Sequence, residues 1–166
     1  MSQFFAAEVQ QPLDYTGFDQ TSGRQSPYLA LYHAEPMDRI AAIRQGVPAT
    51  EAKAILDDLS LGQDFGLRAL GLSVATVNKK AKIGDRLSVD ESERVIGFAR
   101  LIGQMEAMIA ESGDGADFDA YGWMARWLTE PLPALGQIRP ADLIDTMEGQ
   151  ALVGKALAQI QSGAYA

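Results

Sequence analysis

Apolar residues recur at helical spacing along most of the chain, most clearly in the stretch SVDESERVIGFARLIGQMEAMIAES. One stripe of apolar side chains repeats there every three or four residues, at Val95, Phe98, Ile102, Met105 and Ile109. The stretch contains no proline, and Ser88 or Asp90 can cap its start. The pattern predicts one long helix. We expect its stripe to serve both the core and a two-fold contact between copies.

Shorter helical patterns precede this helix. Asp38 can cap RIAAIRQG, and EAKAILDDLSLG follows with Gly62 as its expected end. QDFGLRAL and VATVNKKA then form two short segments separated by Gly71, with Ser73 as the cap of the second. No segment shows the strict alternation of a half-buried strand, so the predicted fold class is all-α.

The C-terminal third follows the same rules. Asp117 can cap FDAYGWMARWL, and the prolines at 131 and 133 end that helix. Asp145 and Glu148 have the spacing of a capping box in front of a last helix, and Gly163 supplies its stop. That helix is expected to bury Val153, Ala156, Leu157 and Ile160.

The glycine-rich run SGDGAD is the best internal boundary. It separates a helical domain (38–112) from a C-terminal domain (113–166). An irregular N-terminal arm (1–37) precedes the helical domain. The arm contains four aromatic residues, Phe4, Phe5, Tyr15 and Phe18. We expect the arm either to dock these side chains on the rest of the protein or to remain a loose tail.

Composition narrows the class of protein. The chain has 166 residues, of which 47% are hydrophobic and 22% charged, so a core can form. It contains no Cys, which excludes disulfides and thiolate metal sites. No apolar run approaches the roughly 18 residues of a membrane span, and the N-terminus does not resemble a signal peptide. We therefore expect a cytoplasmic protein without membrane contact.

Charge is distributed unevenly. The net charge is −8, yet residues 66–87 carry five cations against Asp85 alone. Within DFGLRALGLSVATVNKKAKIGDRL, two short helices flank Gly71 as in a helix-turn-helix, with Val74 and Val77 facing inward. The candidate DNA-binding residues are Ser73, Thr76, Asn78, Lys79, Lys80 and Lys82. The alternative is a helical hairpin with a solvated basic face.

Catalytic chemistry has little support in the sequence. His33 is the single histidine, and no phosphate-binding glycine motif occurs. The carboxylate pairs Asp57/Asp58 and Asp142/Asp145 are typical of a solvated helix end and of helix capping. We therefore expect no catalytic residue, no metal site and no cofactor.

The last third carries a family resemblance. WMARWLTEPLPALGQIRPADLIDTMEGQALVGKALAQIQSGAYA resembles the toxin-binding domain of the MbcA/ParS/Xre antitoxins, through Trp127-Leu128, Pro131, Ala134-Leu135-Gly136, Pro140, Leu143, Thr146, Gly149, Val153, Leu157, Ile160 and Gly163. The preceding LGLSVATVNKKAKIGDRLSVDESERVIGFARLI resembles the Xre-type helix-turn-helix of the same family. Together the two modules cover about residues 40 to 166, and the chain most resembles ParS-type antitoxins.

The resemblance implies a type II antitoxin rather than an enzyme. Such a protein binds a RES-domain toxin that consumes NAD or transfers ADP-ribose, and covers the toxin's NAD site with its C-terminal domain. It implies a homodimer within a larger toxin–antitoxin assembly, and repression of its own operon through operator DNA. The expected toxin-binding residues are Trp127, Pro131, Leu135, Lys155, Gln159, Ser162, Gly163, Ala164, Tyr165 and Ala166. The alternative is a stand-alone helix-turn-helix repressor whose C-terminal domain only dimerises.

Overall fold

The computed structural model describes residues 25–113 and 115–163. These residues form eight α-helices and three short 3-10 helices. The α-helices are α1 (Pro27–His33), α2 (Pro36–Gln45), α3 (Ala49–Asp58), α4 (Gln63–Ala69), α5 (Val74–Lys82), α6 (Val89–Ser112), α7 (Ala120–Thr129) and α8 (Met147–Gln161); the 3-10 helices are Gly115–Asp117, Pro133–Leu135 and Pro140–Asp142. In the described part, β-pairing is limited to two isolated bridges, which confirms the all-α prediction.

Helix α6 is the centre of the fold. Ser88 and Glu91 form a capping box at its start, in which each side chain accepts a hydrogen bond from the other residue's backbone N–H. Four residues of the predicted stripe, Val95, Phe98, Ile102 and Met105, are at most 1% exposed, and Ile109 is partly buried. Neighbouring helices of the same chain cover the four residues, so the expectation that they also make a two-fold contact is wrong; a two-fold contact at Ile109 stays a prediction.

Helix α1 contradicts part of the predicted irregular arm. Residues Pro27–His33 are helical, with Ser26 as the cap, and they pack along α6. Gly103 makes this close packing possible, because a Cβ there would lie 2.1 Å from the Tyr28 carbonyl oxygen. The arm's four aromatic residues, between 4 and 18, lie outside the described residues.

Several predicted helix ends shift by a few residues. Helix α2 begins at Pro36, so Asp38 lies in its first turn rather than at its cap. Helix α3 ends at Asp58, and Gly62 instead precedes α4 with a φ of 77°.

Two predicted caps in the C-terminal third are replaced by near neighbours. Asp119 rather than Asp117 caps α7, through a 2.9 Å hydrogen bond from the Gly122 N–H. Thr146 caps α8 by accepting from the Gly149 N–H at 3.0 Å, so the expected box of Asp145 and Glu148 is wrong. Asp and Thr are both good caps, and the path of the preceding chain selects between them.

One hydrophobic core joins the two halves of the chain. Its buried members include Leu67 of α4, Phe98 of α6, Met124 of α7 and Leu157 of α8. Helix α6 supplies the shared wall, because α1 and α2 pack against it as well as α7 and α8. No helix in the described ranges is long and apolar enough to cross a membrane.

Candidate functional site

Helices α4 and α5 form the predicted helix-turn-helix. Gly71 lies in the turn with a φ of 67°, a left-handed conformation that glycine adopts without strain. The flanking Leu70 and Leu72 are buried and lock the two helices onto the core. Ser73 caps α5 by accepting a 3.3 Å hydrogen bond from the Thr76 N–H. The helix-turn-helix prediction is therefore confirmed.

The outward face of α5 carries most of the candidate DNA-binding side chains. Val77 is fully buried beneath the helix. The exposed residues are Ser73, Thr76, Asn78, Lys79 and Lys82. Hydroxyl, amide and ammonium groups on one exposed helix suit contacts with phosphate oxygens and base edges.

Lys80 differs from its neighbours. Its Nζ lies 3.1 Å from Glu91 Oε2 on α6, and both side chains are largely covered. Burial alone would raise the pKa of Glu91, but hydrogen bonds from Ser88 and Lys80 lower it below its usual value. Lys80 thus ties α5 to α6, and the expectation that it stands on the open face is wrong.

Arg86 also contributes less to the basic surface than its charge indicates. Its Nη1 donates a 2.6 Å hydrogen bond to the Gly46 carbonyl oxygen. The cations of residues 66–87 that project freely from the described surface are therefore Arg68, Lys79 and Lys82. This basic patch is smaller than the sequence suggested.

The segment between α7 and α8 is a rigid connection. The Leu132 N–H donates to the Ile138 carbonyl at 3.2 Å, and the Gln137 N–H donates to the Leu132 carbonyl at 2.9 Å. Prolines 133 and 140 each begin a 3-10 helix. Such a backbone loses little freedom on association, which reduces the cost of binding.

The predicted toxin-binding residues fall into three groups. Pro131, Lys155, Gln159, Ser162 and Gly163 are exposed, and Leu135 is partly covered. Trp127 is only 8% exposed, stacks on Trp123 with ring centroids 5.8 Å apart and belongs to the core. That position does not suit the direct contact expected of Trp127. Ala164, Tyr165 and Ala166 lie outside the described residues.

Helix α8 presents one polar face to solvent. Val153 and Leu157 point into the core, whereas Lys155, Gln159 and Ser162 follow one another at spacings of four and three residues on the outer side. The helix ends at Gln161, and Gly163 adopts a φ of 70° as the predicted left-handed stop. The exposed face therefore continues to Gly163, the last residue that the structure describes.

Sequence reasoning did not identify Arg39 and Arg100 as surface features. Arg100 is the only charged residue between Val95 and Met105. A single cation within such an apolar stretch is a sequence signal that could have identified it as a candidate functional residue. It lines a groove of about 480 Å³ between α1, α6 and α8, together with Lys155.

A buried carboxyl group lies away from both surfaces. Glu106 Oε1 accepts hydrogen bonds from Tyr121 Oη at 2.6 Å and from Ser26 Oγ at 3.0 Å. Burial raises the pKa of Glu106, and burial together with the adjacent carboxylate raises the pKa of Tyr121. This network joins the segment before α1 to α6 and α7.

No group of three or more potential metal ligands occurs within residues 25–113 and 115–163.

The arrangement is that of a two-module helical binding protein. One module exposes a helix suited to nucleic acid, and the other exposes a polar helix face beside a rigid proline-rich connection. By its architecture the chain belongs to the class of helix-turn-helix proteins that carry a second helical module.

Comparison with known proteins specifies the family. The Antitoxin Xre-like helix-turn-helix domain matches residues 38–100, and the Antitoxin Xre/MbcA/ParS C-terminal toxin-binding domain matches residues 118–163. The "Prs ADP-ribosylating antitoxin" of Sphingobium sp. is 51% identical over 154 residues, which cover 91% of this chain and 97% of that protein. The chain therefore belongs to the Xre/MbcA/ParS family of antitoxins, and it is not an enzyme.

More distant relatives bear similar names. An "Antitoxin Xre" of Photorhabdus laumondii is 24% identical over 123 residues, covering 74% of this chain and 78% of the relative. An "Antitoxin Xre" of Yersinia enterocolitica is 22% identical over 155 residues, which cover 82% of this chain and 99% of that relative.

Proposed function

We propose that this antitoxin inhibits a RES-domain toxin by covering the toxin's NAD site with the C-terminal end of α8 and the residues that follow it. The observation that carries the proposal is the exposed face of Lys155, Gln159 and Ser162, which lies within the segment matched to the toxin-binding domain and continues to Gly163. The name of the Sphingobium relative supports a toxin that transfers ADP-ribose from NAD rather than one that only degrades NAD.

The physical basis is a rigid platform with a short extension. The hydrogen-bonded connection between α7 and α8 holds Pro131 and Leu135 in a defined position for the first contact. Beyond Gly163 the sequence continues with Ala164, Tyr165 and Ala166. A tyrosine ring with a polar tip is a chemically suitable occupant for a pocket that accepts a planar base and polar phosphates.

Truncation after Gly163 tests this inhibition. Because a buried tyrosine anchor can contribute about 2 kcal/mol or more to an interface, the truncated chain should inhibit the toxin poorly and bind it more weakly. Its melting temperature should match that of the full-length chain, since the truncation leaves in place every residue of the core described above. The measurement is toxin NAD turnover as a function of antitoxin concentration.

Two variants test the role of the tail. Tyr165→Ala should reproduce most of the truncation effect, whereas Ile83→Ala, on an exposed position at the end of α5, should inhibit like the wild type. Superimposable inhibition curves for the truncated and full-length chains would contradict the role of the tail and move the blocking function to the α8 face.

Repression of its own operon is proposed as the second role. The exposed α5 face favours it, since Thr76, Asn78, Lys79 and Lys82 all project from the helix that follows the turn. Helix-turn-helix proteins read paired half-sites as dimers, so we propose a homodimer. Its contact must use a surface other than the four buried residues of the α6 stripe.

A further inference from the structure

The groove between α1, α6 and α8 concentrates positive charge in an acidic molecule. Arg100 and Lys155 line it from opposite walls, with Tyr32 of α1 as a third wall. Arg39 lies close to Arg100, and its Nη1 donates hydrogen bonds to the carbonyls of Leu31 and Ala34 at the end of α1. The whole chain, by contrast, has a net charge of −8.

These cations have no carboxylate partner in the described part of the chain. The described ion pairs are Lys80–Glu91 and Arg139–Asp142, neither of which involves the groove. The pKa of Arg100 is lowered by burial and then by repulsion from the positive charge of Arg39, while Tyr32 acts in the opposite direction. An anionic group entering the groove would relieve this repulsion.

Helix geometry separates the groove from the DNA-binding face. Glu91 marks the side of α6 that meets α5, through its contact with Lys80. Arg100 follows nine residues later, and at about 100° per residue this places it on the opposite side of α6. Phosphates bound along α5 would therefore lie on the far side of the helix from Arg100.

The groove is continuous with the proposed toxin-binding face. Lys155 belongs to both, and Met147, Ala151 and Ala158 of α8 complete the groove wall within the segment matched to the toxin-binding domain. Gln150 forms part of the floor: it is 4% exposed, and its Nε2 donates to the Arg94 and Ile144 carbonyls. Its Oε1, which has no partner among the described residues, lies against Gly97. Gln150 is thus a fixed polar group in a groove whose lining is otherwise largely apolar between the two cations.

We propose that this groove binds an acidic segment of the toxin, whose carboxylates pair with Arg100 and Lys155. The inference rests on the proposed function, because it assigns to the same interface a second contact beside the C-terminal tail. It also gives α1 a role, since this helix lies outside both matched domains and supplies one wall of the groove. The tail would block the toxin, and the groove would set the orientation and stability of the complex.

Zero-length cross-linking tests the chemistry of the contact. A carbodiimide joins a lysine amine to a carboxylate within contact distance. In the purified complex of the full-length chain with its toxin, peptide mapping should find an amide between Lys155 and an Asp or Glu of the toxin. Lys155→Arg is the matched control, because it retains the charge and the complex but cannot form that amide. Linkage of Lys155 to a second copy of this chain, or to no acidic residue, would overturn the proposal.

Charge reversal tests the energetics. The double variant Arg100→Glu/Lys155→Glu should bind the toxin at least about tenfold more weakly and with altered salt dependence. The matched control, Lys79→Glu/Lys82→Glu, carries the same charge change on α5 and should keep wild-type toxin affinity while losing promoter binding. Equal toxin affinity for the two double variants refutes the groove contact and leaves the proposed function standing. A wild-type chain that binds no toxin refutes both.

Discussion

Glu106 shows how a single buried residue connects distant parts of this chain. Its carboxyl group accepts hydrogen bonds from Ser26, before α1, and from Tyr121 on α7. Tyr28 donates a similar bond to Asp58 on α3, and its ring meets that of Tyr121 edge to face at 6.2 Å. The pKa values of Glu106 and Asp58 are both raised, first by burial, so ionisation of these carboxyl groups opposes folding.

A pH-dependent stability follows from Glu106. Its pKa is higher in the folded state than in the unfolded chain, so the folded state binds the proton more tightly. The resulting stabilisation is complete below the ordinary carboxyl pKa and is lost as the pH rises through the raised value. Glu106→Gln keeps a neutral hydrogen-bond acceptor. As the pH rises from the ordinary carboxyl pKa through the raised one, the melting temperature of the variant should rise relative to wild type, by roughly 2–4 °C for each 1 kcal/mol.

The control for this experiment is Glu93→Gln, an exposed carboxylate on the same helix. Its melting profile should parallel that of the wild type across the range. A Glu106→Gln profile that also runs parallel to wild type would show that the proton affinity of Glu106 does not change on folding.

Helix α5 illustrates how a neighbouring helix divides similar residues into different roles. Lys79 and Lys82 project into solvent, whereas Lys80 is held by Glu91 of α6. Only free ammonium groups can replace the counterions of a DNA backbone without first breaking an ion pair. The three lysines should therefore contribute unequally to DNA binding.

Salt-dependent binding to the chain's own promoter measures this difference. Lys79→Ala and Lys82→Ala should each flatten the slope of log affinity against log salt by about 0.9 per half-site, because each removes one phosphate contact. Lys80→Ala should change the slope less and should instead lower the melting temperature. Lys155→Ala, on the far α8 face, serves as the control and should leave the slope unchanged. Equal flattening by all three α5 lysines would contradict the role assigned to Glu91.

The two modules share one core through α6, which bears on how the molecule unfolds. Leu67 lies in α4 of the helix-turn-helix, while both tryptophans, Trp123 and Trp127, lie in α7. Phe98 and Met105 of α6 belong to the same buried cluster as Leu67 and Trp127. A loss of packing in the first module should therefore reach the second.

Leu67→Ala tests this coupling. The side chain is fully buried, so its truncation should destabilise the protein by about 2–5 kcal/mol. Tryptophan fluorescence and far-ultraviolet circular dichroism should then shift to the same lower melting temperature. Arg68→Ala, an exposed neighbour, should leave both signals near wild type. A fluorescence transition that stays in place while the circular dichroism signal splits would indicate two independent units.

Local signals were sufficient for much of this architecture. The spacing of apolar residues predicted the long helix that ends at Ser112, and Gly71 predicted the turn between α4 and α5. Where two good caps stand close together, as with Asp145 and Thr146, local preference does not discriminate between them. The course of the chain before α8 selected Thr146.

Helix type, helix order and the helix-turn-helix were thus readable from the chain alone, because periodicity and capping act between residues a few positions apart. The exposure of particular side chains could not be predicted from the sequence, because it depends on residues that are distant along the chain. Folding enclosed four residues of the α6 stripe, buried Trp127 against Trp123 and the core, and paired Lys80 with Glu91. It also brought Arg100 of α6 to the same groove as Lys155 of α8. Surfaces arise from the packing of whole helices, and one helix's pattern contains no information about its partners.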